Sequence, residues 1–450
     1  MTAFLDRQST VAPPGFNRFL VPPAALAVHL SIGQVYAFST FNLPLTRLLG
    51  VTASAPGNWD LKQVGWIFSI AIVFLGSSAA AFGRWVERVG PRKSMFASAL
   101  CFGGGFLVSA VGIHLHQLWI IYLGYGVLGG CGLGIGYISP VSTLIKWFPD
   151  RRGMATGMAI MGFGGGALIA APLSVLLMAH FKTATSNGVL ETFVTMGVIY
   201  FMFMMIGVYA VRVPAPDWKP AGSTAPAKPK QLVTSANVAV DLAWRTPQFW
   251  LLWVVLCMNV SAGIGVLGQA SPMIQEIFTG RVTAAAAAGF VGLISLFNMI
   301  GRFFWASTSD YIGRRNTYMI FFALGIVLYA SVPSLGHIGS IPLFVAAFCI
   351  ILSMYGGGFA TIPAYLRDIF GTYQVGAIHG RLLTAWSVAG VLGPVLINYI
   401  RQYQIDSGVP KAQAYSITMY IMCGLLLLGF LCNFAMHAVN ETFFHRGSTQ

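Results

Sequence analysis

The feature that most constrains this chain is a series of twelve continuous apolar stretches, falling at 19–44, 63–82, 94–113, 117–145, 154–180, 190–211, 248–276, 284–306, 316–336, 341–366, 375–400 and 413–437. A helix of about 20 apolar residues crosses the hydrocarbon core of a bilayer with every backbone group bonded internally. The runs are continuous rather than alternating, which disfavours a closed membrane β-barrel. Composition agrees: 56% of the 450 residues are hydrophobic and 8% are charged. A soluble domain needs about three times that share of charge to wet its surface. The first run is too long for the core of a cleavable signal and is followed by eleven more, so it reads as the first span.

The 26 Lys and Arg residues outnumber the 12 Asp and Glu, a formal charge of +14. These cations sit in short segments between apolar runs and not on one basic face, so they point to membrane orientation rather than nucleic acid. With the N-terminus in the cytoplasm, nineteen lie on the inside, counting Arg381 near the inner end of the eleventh run, and six outside, at Arg47, Lys62, Lys182, Arg281, Arg401 and Lys411. Both termini are then cytoplasmic, in a plasma membrane of bacterial inner-membrane type. The six cysteines are scattered through apolar runs without ligand spacing and read as small hydrophobes. No cofactor or metal is called for, and no enzyme chemistry.

The chain halves at a linker. Segment 212–246 separates a six-span bundle (1–211) from a second (247–450), and Ala215–Lys230 is rich in Pro, Ala and Lys, the composition of a flexible connector. At an offset of 223 residues, Glu87, Gly90 and Arg92 fall on Asp310, Gly313 and Arg315, and Pro140 falls on Pro363. Gly153 and Gly157 likewise fall on Gly376 and Gly380. The expected fold is all-α: twelve transmembrane helices in two pseudo-symmetric six-helix bundles.

Two loops carry charge in a set pattern: Gly83-Arg84-Trp85-Val86-Glu87-Arg88-Val89-Gly90-Pro91-Arg92-Lys93, and its counterpart Ser309-Asp310-Tyr311-Ile312-Gly313-Arg314-Arg315. An acid flanked by cations forms ion pairs that can break and re-form. In this the sequence resembles the major facilitator superfamily, over essentially its whole length. The resemblance implies alternating access by rocking of two bundles, with Glu87, Arg88, Arg92, Asp310, Arg314 and Arg315 as gating residues. Glycines crowd the fourth and fifth runs, from Gly126 to Gly166, at small-xxx-small spacing that suits close helix packing. No strand precedes them, so they do not form a phosphate-binding loop.

Inside the spans the charge census is short. All twelve acids lie in loops or at helix ends, while Arg302 lies eight residues before Asp310, roughly 12 Å deeper along a helix. A cation at that depth is costly, and an anionic substrate is its simplest partner, since a guanidinium fork matches a carboxylate in bidentate fashion. Asn298 shares the face of Arg302 one turn earlier. Tyr36 (beside Phe38 and Phe41), Tyr137, Tyr355, Phe359 and Trp386 are candidate walls of the site. His379 is a further candidate substrate-binding residue; it and His29 either titrate or serve as hydrogen-bonded structural histidines, and the run Gly356-Gly357-Gly358 reads as a place where a helix loosens beside a cavity.

Three strings narrow the resemblance to the oxalate/formate antiporter family, a relative of the monocarboxylate transporters. They are Lys146-Trp147-Phe148-Pro149-Asp150-Arg151-Arg152-Gly153, Tyr355-Gly356-Gly357-Gly358-Phe359-Ala360, and His379-Gly380-Arg381-Leu382-Leu383-Thr384-Ala385-Trp386. The resemblance implies that Arg302 binds the substrate carboxylate, with Tyr355 and Phe359 enclosing the anion and Tyr36 matching the tyrosine of the first span. Two departures bear on specificity. Trp386 stands where oxalate exchangers carry a second cation, a lysine, and Asn298 stands where proton-coupled animal carriers carry an aspartate. A second carboxylate would therefore enter a low-dielectric site uncompensated, which favours monocarboxylates such as lactate, pyruvate, formate or glycolate. The expected partners are a small organic anion, protons or a counter-anion for coupling, and lipid, with the protein a monomer. An oxalate/formate-type exchanger is the nearest alternative. A drug exporter and a non-transporting carboxylate sensor are weaker, for want of a buried acid and of an output segment.

Overall fold

A computed structural model describes all residues except 1, 52, 54, 217, 221–231, 233, 235 and 445–450. It holds twelve helices long and apolar enough to cross a membrane, labelled α1 to α12. They are Arg18–Phe41, Gln63–Val89, Pro91–His114, Leu118–Trp147, Gly153–Phe181, Val189–Ala210, Pro247–Leu267, Gly289–Ile312, Arg314–Ile338, Ile341–Phe370, Val375–Asp406 and Ser416–Phe434. The helix carrying α7 continues to Ile277. Most of the linker stretch expected to be flexible, Ala215–Lys230, lies outside the described residues.

The ends of these helices follow from local chemistry. Asp60 accepts the Gln63 backbone N–H while the Gln63 side chain accepts that of Asp60, a reciprocal cap ahead of α2. Thr246 and Thr283 cap the helices carrying α7 and α8 through their hydroxyls. Between α2 and α3, and again between α8 and α9, the chain reverses at one glycine with positive φ: Gly90 at 84° and Gly313 at 88°. An L side chain is strained there, so the paired glycines of the two charged loops serve one backbone need.

The chain divides into two compact units. Unit 1 comprises Met1–Asp150, Met158–Ser223 and Gly376–Ser387; unit 2 comprises Arg151–Gly157, Thr224–Val375 and Val388–Gln450. In unit 1, α3 packs on α6 and α2 on α4, with small residues at the crossings. A Cβ on Gly103 would meet the Gly197 backbone at 2.9 Å, and one on Gly130 would meet the Ala71 backbone at 2.8 Å. In unit 2 the closest pairing is α8 with α10, again on glycines. Within it the Arg401 Nε donates to Glu276 Oε2 at 3.1 Å and the Tyr415 hydroxyl to the same oxygen at 2.7 Å, tying the helix end after α7 to α11 and the start of α12. Burial and the Glu276 carboxylate together hold the Tyr415 hydroxyl above its ordinary titration range.

Candidate functional site

In unit 2 the side chain of Arg302 on α8 is fully buried, at 0% exposure. Its Nε donates to Asn298 Oδ1, 3.2 Å away and one turn earlier. The guanidinium carbon lies 5.3 Å from the ring centroid of Phe359 on α10, within reach of the ring's negative face. Phe359 meets Tyr355 edge-on at 5.3 Å, and both are buried. Sequence reasoning placed these four residues in one site, and within unit 2 they are neighbours.

The glycine run of α10 differs from its expectation. The helix is continuous from Ile341 to Phe370, and the glycines form its contact face. A Cβ on Gly356 would collide with the backbone carbonyl and Oδ1 of Asn298, and one on Gly357 would meet Trp305 at 2.6 Å. On the facing helix a Cβ at Gly301 would meet the Ser353 backbone at 2.6 Å. The absence of side chains here brings the α8 and α10 backbones together and sets Arg302 against Phe359. Tight packing, not loosening, is what the glycines supply.

The remaining candidates gather in unit 1. Trp386 and His379 belong to the α11 segment of that unit. Trp386 meets Tyr137 and Phe163 edge-on, each at 5.4 Å, and Tyr36 lies 5.1 Å from Phe163 and 6.3 Å from Trp386. His379 is 5.8 Å from Tyr137, and His29 stacks on Tyr137 at 5.4 Å with an interplanar angle of 14°. Phe38 and Phe41 turn away into a separate core with Tyr125 and Phe193. Phe163 was not singled out as a site residue, although a signal existed: it is the residue 223 positions before Trp386.

The charged loops divide their work. Glu87 Oε1 accepts the backbone N–H of Gly376 at 3.0 Å while Oε2 accepts Lys146 Nζ at 2.8 Å. Asp310 accepts the backbone N–H groups of Gly153 and Met154, both at 2.9 Å, and pairs with Arg314 at 2.5 Å. Each carboxylate thus sits on the first turn of a helix, where N–H groups have no intrahelical acceptor and the dipole favours negative charge. Arg314 also bonds the Ser309 hydroxyl and lies 3.4 Å from Asp368. A cavity of about 360 Å³ is lined by Asp310, Arg314, Arg315, Tyr365 and Asp368, so these bonds lie beside open space.

Arg92 and Arg315 are turned elsewhere. The Nη2 of Arg92 donates to the Val211 carbonyl at 3.4 Å and its Nε to that of Val208 at 3.2 Å, at the end of α6. Its Nη1 reaches Phe4 O at 2.8 Å, and the Phe4 ring lies 4.4 Å from the guanidinium carbon. Arg315 Nη2 donates to the Phe434 carbonyl at the end of α12, at 2.5 Å. Val211 and Phe434 are themselves 223 positions apart. Arg88 is exposed.

Twelve apolar helices, paired loops repeating one charge pattern and a fully buried guanidinium define a polytopic membrane carrier of the major facilitator class. The chain belongs to the Major Facilitator Superfamily, whose family model matches residues 15–394; the family consists of transporters, not enzymes. The chain is 28% identical over 380 residues to the oxalate:formate antiporter of Oxalobacter formigenes, covering 84% of each protein. It is 24% identical to apicoplast pyruvate carrier 1 of Toxoplasma gondii, over 73% of this chain and 68% of that one. The fold matches the crystal structure of the Escherichia coli fucose:proton symporter with a TM-score of 0.67 at 13% identity, covering 93% of this chain and 98% of the other.

Proposed function

We propose that this protein is a secondary transporter of a small organic monocarboxylate such as lactate, pyruvate, formate or glycolate, with Arg302 as the anchor of the carboxylate. The observation that carries the reading is a guanidinium at 0% exposure beside the Phe359 ring. In such surroundings water screens little, and a carboxylate offers two acceptors to a planar fork of donors. The Nε partner is the neutral amide of Asn298, which orients the fork without cancelling its charge. Relatives named for oxalate, formate and pyruvate support small carboxylates as the substrate class. The Trp386 indole, where an oxalate carrier would need a second cation, supports one carboxylate over two.

Alternating access fits the charged loops. The Glu87 and Asp310 carboxylates hold helix N-termini by hydrogen bonds that break without covalent change, and with Arg88, Arg92, Arg314 and Arg315 they form the gating set. Orientation follows from the nineteen cations against six: both termini cytoplasmic, in a plasma membrane of bacterial inner-membrane type, as a monomer in lipid. Exchange for a second anion is the alternative coupling, favoured by the likeness to an antiporter.

Uptake of labelled lactate, formate, pyruvate and oxalate into proteoliposomes tests the reading, wild type beside Arg302→Ala. Saturable uptake of a monocarboxylate that the variant loses is the expected result. Undiminished uptake by the variant would remove Arg302 from the site.

A further inference from the structure

His29 lies on α1 and is fully buried, and both of its ring nitrogens face acceptors. Nδ1 is 2.8 Å from the Ala159 carbonyl of α5, and Nε2 is 3.2 Å from the Tyr137 carbonyl of α4. A neutral imidazole carries one N–H, so either tautomer bonds one carbonyl and turns a lone pair toward the other. Only the doubly protonated ring donates to both. The ring also stacks on Tyr137 at 14°, and an aromatic face favours a cation over a neutral ring.

The backbone adds a second observation. The α-helix that carries His29 ends at Ile32, and from Gly33 to Phe41 the span continues as a tighter 3₁₀ helix. A change of helical pitch within a span marks a place where the helix can rewind. It begins one turn after His29, whose carbonyl accepts the Gly33 N–H.

We propose that His29 is a proton-binding site within unit 1: protonated, it ties α1 to both α4 and α5, and deprotonated, it releases one of them. Among the described residues, the titratable groups near it include the Tyr137 ring of α4, stacked on it, and His379 of α11, 5.8 Å from that ring. The α5 face toward His29 brings the Ala159 carbonyl and Gly162. Both imidazoles contact the Tyr137 ring, so a proton on His29 is opposed by one on His379. The sign follows: acid favours the clamped α1, and rising pH frees it. The consequence for transport, that the His29 proton is the coupling ion, rests on the carrier reading above. The protonation itself does not.

The test uses the full-length protein in lipid nanodiscs with ¹⁵N-labelled histidine. The eight histidines are distinguished by subtracting spectra of His29→Gln and, should that variant fail to fold, His29→Asn. The expected spectrum shows two protonated ring nitrogens at His29 near neutral pH and one after titration to about pH 9. A neutral, single-tautomer signal at His29 from about pH 9 down to about pH 5 overturns the proposal. In proteoliposomes, an inward proton gradient should drive carboxylate uptake by the wild type and not by His29→Gln, while counterflow exchange persists in the variant. Equal stimulation of both overturns the coupling role. A wild type that carries no carboxylate would instead sink the transport reading, and leaves the spectroscopic result standing.

Discussion

Arg302 was legible from its sequence position, eight residues before a loop acid in an otherwise uncharged span. Asn298 was legible too, because residues four apart share a helix face and its amide is at hydrogen-bonding distance. What no local pattern gave was Phe359 as the ring beside the guanidinium, since that contact joins two helices 57 positions apart in sequence. The chemistry of the fork yields a prediction. Arg302→Lys keeps the charge and loses the planar pair of donors, so one charge-assisted hydrogen bond of about 1.5–3 kcal/mol is lost. KM for the preferred monocarboxylate should rise by roughly 10- to 100-fold, with a smaller effect on maximal rate. Initial-rate uptake at several substrate concentrations checks it, and an unchanged KM would mean that no bidentate contact is made.

Single helices show where sequence reasoning stopped short. Three consecutive glycines in α10 suggest weakness if the helix is considered alone, because glycine loses more entropy in a helix than any other residue. The neighbouring helices supply the reason they stand there: Asn298 and Trp305 of α8 and Asn259 of α7 occupy the space that side chains would need. Gly356→Ala should therefore act through the site. The added methyl has only the Asn298 carbonyl and amide to displace, an overpacking cost of about 1–3 kcal/mol. Thermal unfolding in detergent should show the loss of stability, and uptake should fall because Asn298 no longer holds the Arg302 Nε. Gly289→Ala on α8 is the control, since a Cβ there meets nothing within 4 Å and should leave both readouts near wild type.

For the molecule as a whole, the 223-residue repeat proved to describe hydrogen bonds as well as residues. Arg92 reaches Val211 and Arg315 reaches Phe434, each at the carbonyl end of a helix closing its own unit. Those carbonyls have no intrahelical donor, and a cation there also meets the negative end of the dipole. Arg92→Ala and Arg315→Ala should each lower thermal stability by about 2–3 kcal/mol, the scale of a hydrogen bond to a charged group plus the exposed acceptor it leaves. Lys should restore part of it. Melting curves followed by tryptophan fluorescence distinguish this from gating alone, which would alter uptake rates at unchanged stability.

By itself, the sequence determined the span number, the repeat and the depth of Arg302, because length, period and offset are properties of a chain read along one axis. All twelve expected spans match helices of the structure, most ends within four residues and the largest difference, nine, at the end of α7. Only the tertiary structure decided which groups meet: Phe359 against Arg302, the carbonyls of Ala159 and Tyr137 on either side of His29, and the helix ends beneath Arg92 and Arg315. In an apolar chain nearly every face is hydrophobic, so composition does not say which face turns inward. That choice is made by the few polar groups that must find partners once the helices are packed.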